Sequence, residues 1–117
     1  MNDIHRIDQS ARRSRALVHN GIVYTAGQVP DDMNLDITGQ VTQVLAKIDD
    51  LLKQAGTDKS RVLTAQVWLR TMEDFAAFNA VWDAWVPPGT APVRACVQAK
   101  LGKNGYKVEL QVMAAIG

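Results

Sequence analysis

One stretch of the chain repeats its hydrophobic residues at helical spacing and has suitable capping residues at both ends. The apolar positions return every three or four residues, with charged residues between them: Val41, Val44, Leu45, Ile48, Leu51, Leu52 and Ala55. Asp36 or Thr38 is suited to cap the start, and Gly56 suits the left-handed position just beyond the end. The pattern predicts an amphipathic helix with one buried face.

A second helix is predicted over residues 72–86. Its aromatic side chains form a stripe at the same spacing: Phe75, Phe78, Trp82 and Trp85. Thr71 is a candidate N-cap, and Pro87 prevents the helix from continuing. We expect the tryptophans of the chain to be core or interface anchors.

Alternating apolar and polar residues predict strands in the remaining segments, over 4–8, 16–19, 22–26, 61–70, 93–101 and 107–116. Asn20 and Gly21 separate the second strand from the third, and this dipeptide favours a type I′ hairpin turn. The order of elements favours α+β or α/β packing, with the two helices covering one face of a mixed sheet. The other face is either solvated or covered by another copy in a symmetric oligomer.

Composition is that of one ordinary globular domain, which we place at residues 1–117, with 47% hydrophobic and 21% charged residues. Thirteen basic against twelve acidic residues give a charge of +1, which does not favour nucleic acid as the main partner. No apolar run approaches the roughly 18 residues of a membrane span, and no secretory signal is recognisable. The single cysteine, Cys96, fits a reducing, cytoplasmic compartment.

Arg94 is the most informative polar residue of the predicted strands. Arg94 and Cys96 are two residues apart, so their side chains point to the same face, about 6–7 Å from each other along the strand. An arginine fork is suited to gripping a carboxylate through two parallel hydrogen bonds. Alternation alone favours the simpler interpretation, an exposed arginine on a solvated strand face, and leaves the carboxylate anchor as the alternative.

Glu109 is one of only two glutamates in the chain and lies on the polar face of the last predicted strand. If that strand neighbours the Arg94 strand, a carboxylate and a guanidinium line one cleft, and Glu109 is a candidate general base. The simpler alternative, which the residues alone favour, is a surface cross-strand pair between Glu109 and Arg94 or Lys100.

The other reactive side chains form no recognisable constellation. Cys96 as a nucleophile needs an oriented base, and neither His5 nor His19 is placed near it by a motif, so we expect a half-buried lining residue. The histidines also lack metal-ligand spacing with the cysteine, and no glycine-rich phosphate loop is present, so no metal or cofactor is expected. Residues 12–15 (RRSR) are either a solvated segment or a contact for an anion or RNA.

Several segments, in order along almost the whole chain, together resemble the RidA/YjgF family of imine deaminases. The segments carrying the resemblance are residues 21–28 (GIVYTAGQ), 43–56 (QVLAKIDDLLKQAG), 67–69 (VWL), 72–79 (MEDFAAFN), 91–97 (APVRACV) and 107–110 (KVEL). Residues 83–86 (DAWV) and 91–94 (APVR) resemble the YoaB-type branch most.

The resemblance implies a fold, an assembly and an activity. The implied fold is a chorismate-mutase-like α+β sheet with two helices on one face. The implied assembly is a homotrimer with a central barrel of sheets and ligand clefts between subunits. The implied activity is hydrolysis of reactive 2-enamine or 2-imino acids to 2-oxo acids and ammonia, which limits metabolite damage and uses neither metal nor cofactor. A non-catalytic sensor of small carboxylates is the alternative, and an endoribonuclease or translation inhibitor is a third.

The resemblance also assigns roles to individual positions. Arg94 matches the carboxylate-binding arginine and Glu109 the water-directing glutamate. Cys96, Asn79 and the backbone at Gly27 match groups that line the family's cleft.

Two positions depart from the family's usual pattern. Arg13 stands where a tyrosine is common, and Ala26 stands where a serine is common. A second arginine at the mouth of the cleft favours dicarboxylic or bulkier anionic ligands.

Overall fold

A computed structural model describes residues 3–117 and shows six strands in one sheet with two helices. The strands are β1 (His5–Ile7), β2 (Ala16–His19), β3 (Ile22–Thr25), β4 (Val62–Leu69), β5 (Val93–Gln98) and β6 (Val108–Ala115), and the helices are α1 (Ile37–Gln54) and α2 (Phe75–Trp85). The strand order is β1-β2-β3-β6-β4-β5. Only β4 and β5 run parallel to each other, so the sheet is mixed, and the predicted α+β class is confirmed.

Local sequence rules account for the β2–β3 hairpin and the ends of α1. Asn20 and Gly21 have φ angles of 53° and 76°, as a type I′ turn requires. Asp36 caps α1, because its carboxylate accepts a hydrogen bond from the Gly39 N–H at 2.9 Å. Gly56 has a φ of 87° just beyond the C-terminus of the helix. Of the two cap candidates, Asp36 is therefore the one used.

Helix α2 begins later than the sequence pattern predicted. Met72–Asp74 forms a short 3₁₀ helix, capped by the Thr71 hydroxyl accepting from the Glu73 N–H, and the α-helix starts at Phe75. At its other end the Trp85 indole N–H donates to the Asp49 carboxylate at 3.1 Å. This bond connects α2 to α1.

No helix within residues 3–117 is long and apolar enough to cross a membrane.

The helices cover one face of the sheet and leave the other open, which confirms the predicted layering. Under the helices the strand side chains are buried, as at Val67, Leu69 and Leu110. On the open face β5 exposes large apolar side chains: Val93 retains 70% of its accessible surface and Val97 retains 46%. The sheet thus buries one face beneath the helices and leaves the other face, which is partly apolar, exposed.

Candidate functional site

Arg94 projects from the edge strand β5 toward α2. Its Nη1–H donates to Oδ1 of Asn79 at 3.0 Å. The guanidinium carbon also lies 5.3–5.7 Å from the ring centres of three aromatic residues of the same helix: Phe75, Phe78 and Trp82. These residues and Asn79 are spaced three or four apart, so α2 presents all of them on one face. The three aromatic rings and the side-chain amide of Asn79 together fix the position of the Arg94 guanidinium.

This placement corrects the interpretation of Arg94 as a strand arginine on a solvated face. Arg94 aligns with Ala65 of β4, whose side chain is buried beneath the helices, and Arg94 itself is half-buried. The alternation along β5 was predicted correctly, but the face that turns toward solvent is that of Val93 and Val97. The face of β5 that α2 covers carries polar residues, and the opposite face carries valines. The polarity of the side chains along β5 therefore did not reveal which face is covered.

Cys96 lies on the same face as Arg94, aligned with the buried Val67, and its half-buried side chain packs against the core. Burial raises the pKa of the thiol, and the nearby Arg94 cation only partly opposes this. A raised pKa keeps the thiol protonated at neutral pH, so the environment suits a lining residue better than a nucleophilic thiolate.

Cys96 should therefore react slowly with an alkylating agent. We expect iodoacetamide at neutral pH to modify it more slowly in the folded protein than in the urea-unfolded chain, because the folded state holds less thiolate. The rate should rise only at a pH above that at which a free thiol ionises, and Arg94→Ala should slow it further. Mass spectrometry of timed samples measures the rate, and faster reaction in the folded protein would contradict this assignment.

Glu109 projects from β6 on the open face and lies directly against Gly27. A methyl group at position 27 would overlap the Glu109 carboxylate, so only glycine allows this approach. The N–H groups on either side of Gly27 are bonded: that of Ala26 to the Arg15 carbonyl and that of Gln28 to the Leu110 carbonyl, both at 2.8 Å. The Gly27 N–H has no partner within residues 3–117. Residue 27 thus combines an unbonded N–H with a close approach of the Glu109 carboxylate.

Within one protomer, Arg94 and Glu109 do not share a cleft. Strand β4 lies between their strands; Arg94 aligns with its Ala65 and Glu109 with its Trp68. That offset places the two Cα atoms roughly 14 Å apart, with the side chains on opposite faces of the sheet. The condition for a cleft shared within one chain, adjacent strands, is therefore not met, and the alternative pairing of Glu109 with Arg94 or Lys100 fails for the same reason.

Arg13 lies in the loop between β1 and β2, four strands away from β5. The loop forms a depression of about 340 Å³ lined by Arg6, Gln9, Ser10, Ala11, Arg12, Arg13, Ser14 and Leu17. The Ser10 hydroxyl closes the turn by donating to the Arg13 carbonyl at 3.0 Å. Within the described part of the chain neither Arg12 nor Arg13 forms an ion pair, whereas Arg15 pairs with Asp8 at 3.3 Å.

The remaining candidates contribute little to a site. Residues 3–117 contain no group of three or more His, Cys, Asp or Glu side chains placed to share a metal ion. Trp82 and Trp85 are buried, as expected of core anchors, and Trp68 is half-buried on the open face. Sequence reasoning missed the buried amide of Gln28, which is 3% exposed, although its position beside Gly27 was a signal.

The fold, Arg94 and Glu109 together define a class of small α+β domains. In this class helices cover one face of a sheet, an arginine is held against a helix at the sheet edge, and a carboxylate lies on the open face. A family model described as endoribonuclease L-PSP matches residues 3–116. A "RutC family protein" from Haemophilus ducreyi is 47% identical over 113 residues, 97% of each chain. The "RutC family protein YoaB" of Escherichia coli K12 is 45% identical, over 97% of this chain and 98% of the relative.

Solved structures agree with the sequence relatives. A Pseudomonas aeruginosa protein superposes with a TM-score of 0.96 at 42% identity, covering 98% of this chain and 100% of the other. A YjgF family member from Neisseria meningitidis superposes with a TM-score of 0.93 at 40% identity, covering 98% and 96%. The chain belongs to the RidA/YjgF family, with relatives named YoaB among those it matches along nearly its whole length.

Proposed function

We propose that this protein hydrolyses 2-imino and 2-enamine acids to 2-oxo acids and ammonia, in clefts formed between its subunits. The observation that supports the proposal is a pair of polar clusters on opposite faces of the sheet, which we interpret as two complementary half-sites. One, at the β5 edge, consists of Arg94 with Asn79 and Cys96. The other, on the open face, consists of Glu109 with Gly27. Neither is complete alone, and the first binds a carboxylate while the second directs a water.

The proposed assembly is a head-to-tail homotrimer. Its support is the open face, which exposes Val93 and Val97 and is concave, with a depression of about 490 Å³ that Tyr24 and Met113 help to line. In a closed ring each interface joins two different surfaces, and we propose that these are the β5 edge of one copy and the Glu109 face of the next. Light scattering should give a mass near three times 12.8 kDa, and a monomer would contradict the intersubunit site.

In the proposed mechanism Arg94 holds the substrate carboxylate. One N–H of its fork is committed to Asn79, and the remaining donors are available for a two-point grip. The grip fixes the C=N carbon at the position where Glu109 of the neighbouring copy presents a water. An iminium carbon is already electrophilic, so orientation and proton transfer supply the catalysis.

Glu109 moves the protons in both halves of the reaction. It accepts a proton as water adds to the C=N carbon, giving a carbinolamine. It returns that proton to nitrogen, the C–N bond breaks, and loss of the hydroxyl proton leaves a 2-oxo acid and ammonium. The free Gly27 N–H donates to the oxygen of the water beside the carboxylate. The lone cysteine supports a cytoplasmic location for this activity.

A coupled assay tests the proposed reaction. An amino-acid oxidase generates 2-iminobutanoate, semicarbazide traps the imine that survives, and the protein is added to the mixture. We expect the protein to reduce semicarbazone formation from the imine in proportion to its concentration. Binding of 2-oxobutanoate without faster imine loss would replace the enzyme by the carboxylate sensor. The endoribonuclease name is the description of the family model, and the near-balanced charge of this chain does not favour that role.

Arg13 should set the preference for the distal end of the substrate. We place the β1–β2 loop beside the cleft that the Gly27 segment forms with the next copy, because Arg15 joins the loop to Gln28. An arginine without an ion pair within residues 3–117 favours an acidic side chain there. We expect Arg13→Ala to lower kcat/KM for imines of acidic amino acids by about two- to fivefold, the cost of an exposed charge contact, and to leave 2-iminobutanoate unchanged. Arg61→Ala, remote from the loop, is the matched control. An unchanged substrate profile would remove Arg13 from the site.

A further inference from the structure

The side chain of Gln28 bonds back to the backbone of residue 26 and so closes a tight turn at Gly27. Its Nε2–H donates to the Ala26 carbonyl at 3.0 Å, and its backbone exchanges hydrogen bonds of 2.8 and 3.0 Å with Leu110. Only 3% of the residue is exposed. A buried amide must satisfy its polar atoms, and the carbonyl of this one accepts from Arg15 Nη2 at 3.0 Å.

Arg15 is held at both its backbone and its side chain. Its backbone N–H donates to the Ile7 carbonyl at 3.0 Å, and its carbonyl accepts from the Ala26 N–H at 2.8 Å. Its guanidinium bridges Asp8, at 3.3 Å, and Gln28. Arg15 therefore connects the β1–β2 loop to the Gly27 segment, unlike the neighbouring arginines, which form no ion pair within the described residues.

Gln28 and its partner Leu110 each directly follow one of the two groups that the mechanism uses. Gln28 follows Gly27 and is paired with Leu110, and Leu110 follows Glu109. The Glu109 carboxylate lies against Gly27, whose N–H is unbonded within residues 3–117. A change at Arg15 or Gln28 therefore moves the Gly27 N–H relative to the Glu109 carboxylate. It does not alter the half-site at Arg94, which binds the carboxylate of the substrate.

We propose that Arg15 and Gln28 are positioning residues that hold the Gly27 N–H and the Glu109 carboxylate in register for directing the water. This proposal rests on the proposed deaminase function. Neither residue touches substrate; each acts through the Gly27 segment. We expect substitution of either residue to lower kcat and leave KM unchanged, because the substrate carboxylate is bound by Arg94 in the other half-site.

Kinetics of Arg15→Ala and Gln28→Ala on 2-iminobutanoate test this expectation. We expect kcat to fall by about 10²-fold, the scale of a displacement of about 1 Å, with KM changed by less than about threefold. Arg15→Lys keeps one donor toward Gln28 and should recover part of the loss. Arg61→Ala, an exposed arginine at the opposite end of the sheet, should match the wild type. If Gln28→Ala does not fold, the partly exposed Arg15 carries the test.

A second measurement separates failure of this proposal from failure of the deaminase function. The chain has only two glutamates, so ¹³C labelling of the side-chain (Cδ) carboxyl of glutamate gives two signals, and Glu109→Gln assigns them. Arg15→Ala should shift the Glu109 signal and leave Glu73 unchanged, whether or not the protein hydrolyses imines. A wild-type protein without deaminase activity would overturn the function alone. An unshifted Glu109 signal, or an unchanged kcat in an active enzyme, would overturn the positioning role.

Discussion

Arg94→Ala should lower kcat/KM for 2-iminobutanoate by roughly a thousandfold, because removing one partner of a desolvated, hydrogen-bonded charge pair costs about 2–5 kcal/mol. The guanidinium is preorganised by Asn79 and by the aromatic face of α2, so little of its binding energy is spent on ordering it. Affinity for 2-oxobutanoate, measured by calorimetry, should fall in parallel, since substrate and product share the carboxylate.

Arg94→Lys distinguishes the shape of the group from its charge. Lysine keeps the cation but loses the planar fork and its stacking on the α2 rings, so we expect it to recover no more than about a tenth of the wild-type kcat/KM. Thermal unfolding of each variant checks that the fold is retained. Wild-type affinity and rate in folded Arg94→Ala would show that the substrate carboxylate is bound elsewhere.

Glu109→Gln should abolish the chemistry and preserve binding. The amide occupies the same volume against Gly27 but cannot accept the proton of the attacking water, and loss of a general base costs about 10²–10⁴-fold in rate. We therefore expect kcat to fall within that range, while the Kd for 2-oxobutanoate changes by less than about threefold. The oxidase-coupled imine assay measures the first quantity and calorimetry the second.

Glu73→Gln is the matched control, since Glu73 is the only other glutamate and lies exposed in the 3₁₀ helix before α2. It should retain the wild-type rate. Equal rates for Glu109→Gln and the wild type would assign proton transfer to a different group and remove the open-face half-site from the mechanism.

The sequence predicted the elements whose signals are local. Asn20 and Gly21 determine the hairpin through their own backbone preferences, and Asp36 and Gly56 mark the ends of α1 in the same way. The start of α2 was displaced because Thr71 caps a 3₁₀ helix before the α-helix begins. Such boundaries depend on hydrogen bonds that several conformations of the same residues satisfy.

The arrangement of the site depends on pairings between distant segments, which the sequence pattern did not specify. Alternation placed Arg94 and Cys96 on the same face of β5, and it placed Glu109 on the face of β6 opposite the buried residues. It did not reveal that β4 separates β5 from β6. The helical spacing of Phe75, Phe78 and Trp82 held the missing signal for Arg94, since it predicts one aromatic face. The bond between Arg15 and Gln28 required the folded geometry.

Mixed oligomers of Arg94→Ala and Glu109→Gln test the shared site most directly. Each variant alone lacks one half-site in every copy and should be inactive in the imine assay. Co-refolding equal amounts gives rings in which about one interface in four joins an intact Arg94 to an intact Glu109, if the ring is head-to-tail. We predict recovery of about a quarter of the wild-type activity. No recovery, in mixed trimers verified by native mass spectrometry, would contradict an active site shared between subunits.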